Sequence, residues 1–135
     1  MFRRFKYVIE KKLDLKRSFD SKKDITKDDI NYYLKQGAVL IDVRSPQEFR
    51  EGHLDGAICI PDYQIKRNIQ SYVKDKNQVI VLYCSTGHRS QTAQKTLENM
   101  GYTNVYNLYE GIIIWEKWDS PILSHFFVIL LVSFA

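Results

Sequence analysis

Cysteine is scarce in this 135-residue chain, with only Cys59 and Cys84 present. Two are too few for a disulfide scaffold, and neither belongs to a CxxC or Cys/His cluster with zinc spacing, so no metal site and no cofactor are expected. A Cys59–Cys84 disulfide stays open on sequence alone, although a free thiol in a reducing, cytoplasmic compartment is the more natural reading. The chain also lacks internal repeats and low-complexity stretches. A secretory signal is not expected at its start, because Glu10, Asp14 and several lysines interrupt any apolar run. The uncharged run from Ile122 to Ala135 would reach about 21 Å as a helix, short of a hydrocarbon core of roughly 30 Å. A full membrane span is therefore not expected.

The net charge of +4 is unevenly placed. Residues 1–23 hold nine Lys/Arg against three acids, whereas residues 24–135 hold eleven against thirteen. Basicity thus belongs to an N-terminal arm, which reads as a solvated tail and not as a nucleic-acid surface. Phe2, Phe5, Ile9 and Leu13 recur there at helical spacing, which leaves open an amphipathic helix. Three segments are expected: the arm (1–23), one domain (24–122) large enough to bury its own core, and an apolar tail (123–135). That tail either folds back on the domain or meets a second surface. The basic arm favours a peripheral membrane contact among the second kind.

Within the domain, strand and helix signals alternate. Residues 24–37 read as a helix capped by Thr26 with Asp29 three positions on and stopped by Gly37. Residues 38–43 read as a short buried strand. Ser45-Pro46-Gln47-Glu48 is a strong helix start, with serine at the cap, proline next and glutamate at the third position. A second strand spans 56–61, and Ile65, Ile69, Tyr72 and Val73 make a helical stripe. Val79 to Tyr83 is a third strand, Ser90 to Met100 a helix, Val105 to Leu108 a strand, and Gly111 to Trp118 a last short helix. This alternation predicts an α/β domain with a central, largely parallel sheet flanked by helices. Ligands in such sheets bind at the carboxyl ends of the strands, where Asp42 and Cys84 both fall.

The segment Cys84-Ser85-Thr86-Gly87-His88-Arg89-Ser90 joins the third strand to the helix that follows. Backbone N–H groups of such a loop can converge on an anion, and the helix N-terminus adds its dipole. Both favour a thiolate at Cys84, as does a guanidinium from Arg89. Cys84 is therefore the candidate nucleophile. Ser85, Thr86, Gly87 and His88 are expected to supply backbone donors, with Gly87 left-handed. Arg89 is the candidate anion clamp, since its guanidinium offers forked donors to an anion. Asp42 and Arg44 read as a charged pair beside the pocket that holds the loop, and Ser90 as a supporting residue. His53 reads as a turn residue making structural hydrogen bonds, and Cys59 as a core residue. Tyr109 and Trp115 are the aromatics that could line the mouth.

Four features in order make the chain resemble the single-domain rhodaneses, the thiosulfate sulfurtransferase family. They are Leu40-Ile41-Asp42-Val43-Arg44 with Glu48-Phe49, then Gly52-His53-Leu54-Asp55-Gly56-Ala57 leading to Ile60-Pro61. Tyr83-Cys84-x-x-Gly87-x-Arg89-Ser90 follows, and then Gly101-Tyr102 with Val105, Leu108, Gly111 and Trp115. The resemblance implies a three-layer rhodanese-like fold and sulfur transfer through a persulfide on Cys84. It implies a small-molecule sulfur donor such as thiosulfate and a thiol or protein acceptor. The family usually has two glycines before the final helix, and Glu110 replaces the first, which puts the substrate approach in doubt. A persulfide carrier or sensor is the alternative. A cysteine phosphatase or arsenate reductase is a weaker one, because such enzymes on this fold carry a loop one residue longer between Cys and Arg.

Overall fold

A computed structural model describes the chain over residues 18–115 and at the strand Ile122–Leu123. Five parallel strands form the main sheet: β1 (Asp24–Ile25), β2 (Val39–Asp42), β4 (Ile58–Cys59), β5 (Ile80–Tyr83) and β6 (Val105–Leu108), in the order β1-β6-β5-β2-β4. Helices α1 (Ile30–Lys35), α2 (Pro46–Glu51), α3 (Ile65–Tyr72) and α4 (His88–Asn99) connect them, with short 3-10 turns at Lys27–Asp29, Asp62–Gln64 and Ile112–Ile114. A separate antiparallel pair joins β3 (His53–Leu54) to β7 (Ile122–Leu123).

The central strand β5 explains the architecture. All four of its residues, Ile-Val-Leu-Tyr, are buried, as a parallel strand covered on both faces requires. Because side chains alternate, Ile80 and Leu82 join one apolar cluster with Ile65, Ile69, Ala93 and Leu97 of α3 and α4. Val81 and Tyr83 face the other way, into a cluster with Ile30 of α1, Leu54 and Trp115. These are the three layers. The same alternation carries Cys84 to the α3/α4 side, where it is buried as part of the first cluster.

Chain direction places the crevice. From β2 the chain continues to β4 on one flank, and from β5 it continues to β6 on the other. The carboxyl ends of β2 and β5 are therefore the point where connections diverge, which is where ligands bind in open α/β sheets. Cys84 follows β5 at that point.

Local signals from the sequence hold with small shifts. Ser45 caps α2 in a reciprocal box, its hydroxyl accepting from the Glu48 amide and the Glu48 carboxylate accepting from the Ser45 amide. Thr26 and Asp29 make a similar box. The region expected to be helical from residue 24 instead opens with β1, because Asp24 and Ile25 pair with Asn107 and Leu108. A two-residue strand is too short to show a period, so only its tertiary partner reveals it. Tyr72, expected on the apolar stripe of α3, is exposed, and Ile65, Ile69 and Val73 carry the burial. Over its described residues the expected last helix (111–118) is a 3-10 turn at Ile112–Ile114, and 116–118 lie outside the described residues. The amphipathic pattern up to residue 17 and the tail beyond Leu123, with the membrane contact expected of it, lie outside the described residues. Among the described residues no helix is long and apolar enough to cross a membrane.

Candidate active site

Cys84 stands at the end of β5, 1% exposed. Its Sγ accepts from the Gly87 amide at 3.1 Å, the Ser90 amide at 3.4 Å and the Ser90 hydroxyl at 3.3 Å. Three donors converging on one sulfur complement negative charge there. Gly87 makes this possible by adopting φ 87°, a left-handed turn that brings its own amide and the first turn of α4 around the sulfur. Ser90, expected only to support the site, touches Cys84 Sγ through two groups. Helix α4 starts two residues earlier than the spacing implied, so the loop winds directly into it.

The loop rests on a floor that sequence reasoning recorded only as part of the family pattern. The Cys84 and Ser85 carbonyls accept from the amides of Ile112 and Ile113 at 2.9 and 3.1 Å. Gly111 lies so close that a Cβ there would sit 2.2 Å from the Ser85 carbonyl oxygen. Asn107 of β6, which sequence reading missed, is fully buried and donates to the Gly87 carbonyl at 3.2 Å and to Asp24 at 3.3 Å. A polar residue inside the strand read at 105–108 was its only sequence signal. Glu110 needs no special backbone, since no described non-glycine residue has positive φ. Burial raises its carboxyl, which is hydrogen-bonded by the Lys27 amide. It therefore serves the turn at Lys27–Asp29.

Arg89 sits at the rim with its fork already engaged. Nη1 and Nη2 donate to the two carboxylate oxygens of Glu48 at 2.8 and 3.0 Å, and Nη2 also donates to Ser85 Oγ at 3.1 Å. Ser85 Oγ in turn donates to Glu48 at 3.3 Å. Glu48, the reciprocal partner of Ser45 in the α2 capping box, is thus tied to the Cys84 loop. Hydrogen bonds from Arg89 pull the Glu48 carboxyl down to about 2. Because the folded value lies below the ordinary 4.5, the ion pair stabilises the fold above that pH and is lost as pH falls toward 2. Glu48 and Arg89 are 32% and 39% exposed, so solvent screening reduces the gain to about 1 kcal/mol. Glu48→Gln is expected to lower unfolding stability by that amount at neutral pH. The gap should close between pH about 4.5 and about 2, and urea titrations across that range check it.

Asp42 and Arg44 form a buried pair at 2.8 Å. Arg44 also donates to the Gly52 carbonyl at 2.6 Å, and its own amide donates to Asp42 at 2.9 Å. These bonds clamp the turn between α2 and β3, so the loop they hold is that one and not the Cys84 loop. His53 donates to the Phe49 carbonyl at 2.8 Å and stacks on the Phe49 ring, which is structural work. Trp115 is buried in the cluster across the sheet from Cys84, with Lys27 over its ring, and so does not line the mouth. Tyr109 packs edge-on against Phe19. His88 opens α4, and Thr86 occupies the loop tip just before Gly87.

Both cysteines are free thiols. Cys59 on β4 pairs with Asp42 on β2, which pairs with Tyr83 on β5. Two strand spacings, about 9.6 Å, therefore separate Cys59 from the end of β5, beyond the roughly 4.4–6.8 Å Cα range of a disulfide. Burial also raises the Cys59 thiol. Among the described residues no group of three or more ligating side chains could hold a metal ion.

This arrangement, a cysteine at a strand end cradled by the start of the next helix, defines a class of α/β domains. Within it the rhodanese-like domain model matches residues 26–118, and the chain belongs to that family. It is 43% identical to the thiosulfate sulfurtransferase PspE of Escherichia coli over 67 residues, covering 50% of this chain and 64% of that protein. The chain thus aligns with somewhat less than two thirds of that relative. A sulfurtransferase of Allochromatium vinosum is 34% identical over 66% of this chain and 81% of its own length. Among solved structures, a rhodanese with anions from E. coli superposes with a TM-score of 0.57 at 36% identity, covering 64% of this chain and 98% of that one.

Proposed function

We propose that this protein is a sulfurtransferase that carries sulfane sulfur as a persulfide on Cys84. The observation that carries the reading is the convergence of the Gly87 amide and both Ser90 donors on Sγ. The relatives named sulfurtransferases support the activity in general. The donor and the double-displacement course are our proposal.

In the first half-reaction the Cys84 thiolate attacks the outer sulfur of thiosulfate. The S–S bond breaks, its electron pair leaves with sulfite, and Cys84–S–S⁻ remains. In the second, an acceptor thiolate attacks the outer sulfur of that persulfide, regenerating the Cys84 thiolate. Neither step needs a proton donor, so His88 requires no acid role. The three donors converge on Sγ, where the charge sits before the first step and returns after the second.

The test is mass spectrometry of the full chain after thiosulfate. One added sulfur, about 32 Da, is expected on Cys84, removable by excess thiol with the thiol's own persulfide as product. No addition from thiosulfate or from a small alkyl persulfide, or addition at Cys59, would overturn the reading.

A further inference from the structure

Resting on that reading, we propose that Glu48 is a specificity-determining residue that turns the Cys84 site toward monoanionic persulfide donors and against dianionic thiosulfate. Arg89 is the cation at the rim of the sulfur cradle, and a sulfonate would be expected to bind its fork. Glu48 holds both terminal nitrogens of that fork, and Ser85 Oγ closes the triangle.

Glu48 is not placed there by chance rotation of a surface side chain. Its Oε1 also accepts from the Ser45 amide, and its own amide donates to Ser45 Oγ, so the cap of α2 fixes it. Swinging the carboxylate away from Arg89 would give up its half of the α2 capping box. A second acid, Asp62 in the turn that follows β4, also bears electrostatically on Arg89, as does Cys84 itself. One guanidinium is therefore held by the Glu48 carboxylate, with Asp62 adding to the negative field around it. Thiosulfate must displace a well-held carboxylate or bring two negative charges into a rim whose cation is already neutralised.

A hydropersulfide with an uncharged organic group, ionised at its outer sulfur (R–S–S⁻), brings one charge and leaves Cys84–S–S⁻ and R–S⁻. It needs no sulfonate clamp. Cys84 thiolate attacks its outer sulfur, the S–S bond breaks, and the electron pair leaves with the organic thiolate, so atoms and charge balance as they do with thiosulfate. Sulfite and thiolate are the alternative leaving groups. The rim decides which donor arrives.

The experiment compares the unmodified full chain with Glu48→Gln, using thiosulfate and a small alkyl hydropersulfide as donors. Glutamine keeps the size and an oxygen for the Ser45 amide but carries no charge. The ratio of kcat/KM for thiosulfate to that for the hydropersulfide is expected to rise about tenfold in Glu48→Gln. A ratio that stays level or falls overturns the proposal, because a purely structural loss would move both donors together. Should the variant fail to fold, salt provides the second arm. In the unmodified protein, added salt screens the repulsion and is expected to raise the same ratio. A ratio that falls or holds level with salt means Arg89 acts as an open clamp, and the proposal fails. Sulfur transfer from neither donor would overturn the sulfurtransferase reading as well, whereas transfer with an unshifted ratio overturns this one alone.

Discussion

Cys84→Ser is expected to abolish sulfur transfer while leaving the fold within about 1 kcal/mol of the unmodified protein. A hydroxyl is close to isosteric with the thiol and can use the same donors, the Gly87 amide and Ser90. Packing against Leu82, Ala93 and Leu97 in the same cluster is therefore kept. An alkoxide is not accessible near neutral pH, and oxygen cannot form the persulfide, so the loss should be complete within detection. Cys59 offers no substitute. It lies on an edge strand two positions across the sheet, with its thiol raised by burial. Sulfite release and thermal unfolding, measured on the same preparation, check both halves. Residual turnover that disappears only when Cys59 is also replaced would show that the nucleophile has been misassigned.

The second large effect is expected at a residue that does no chemistry. Gly111→Ala should destabilise the protein by about 2–5 kcal/mol and cut kcat/KM at least about a hundredfold. Two costs coincide there. Gly111 has φ 72° and ψ −176°, a region open essentially to glycine alone. Its added Cβ would also meet the Ser85 carbonyl oxygen at 2.2 Å and the Thr86 amide at 2.7 Å. Relief of that clash must push the Cys84 loop off the Ile112 and Ile113 amides, and the sulfur's donors move with it. Gly37→Ala is the control, because Gly37 shares a positive φ of 85° but has nothing within 4 Å. It should cost only the backbone strain, roughly 1–2 kcal/mol, and leave turnover unchanged. Urea unfolding with sulfite release separates the two variants. Equal effects would show that backbone conformation, not contact with the loop, is what matters at Gly111.

This contrast bears on the replaced glycine of the doublet. Glu110 stands where the family usually has the first glycine, yet the backbone there is ordinary and the carboxylate turns to the Lys27 amide. The second glycine is the one whose missing side chain the Cys84 loop requires. A sequence pattern shows two small residues side by side. Only the distance from Gly111 to Ser85 separates the necessary one from the replaceable one.

What the sequence determined by itself was local and periodic. Residues 80–83 are apolar without interruption, which is the mark of a strand buried on both faces. Ser45-Pro46-Gln47-Glu48 carries its own capping chemistry, and Gly87 carries the freedom to turn left-handed ahead of α4. Those signals suffice to put Cys84 between a central strand and a helix start, and so to single it out as the candidate nucleophile. The tertiary structure alone decided what surrounds it. Asn107 is 20 residues from the Gly87 carbonyl it holds, and Glu48 is 41 from Arg89. Such partners leave no period and no spacing to read, because chain folding and not local geometry brings them together. For the same reason the fork of Arg89 read as open in sequence and proved occupied in space. An ion pair between distant residues is set by where α2 and α4 come to rest on the sheet.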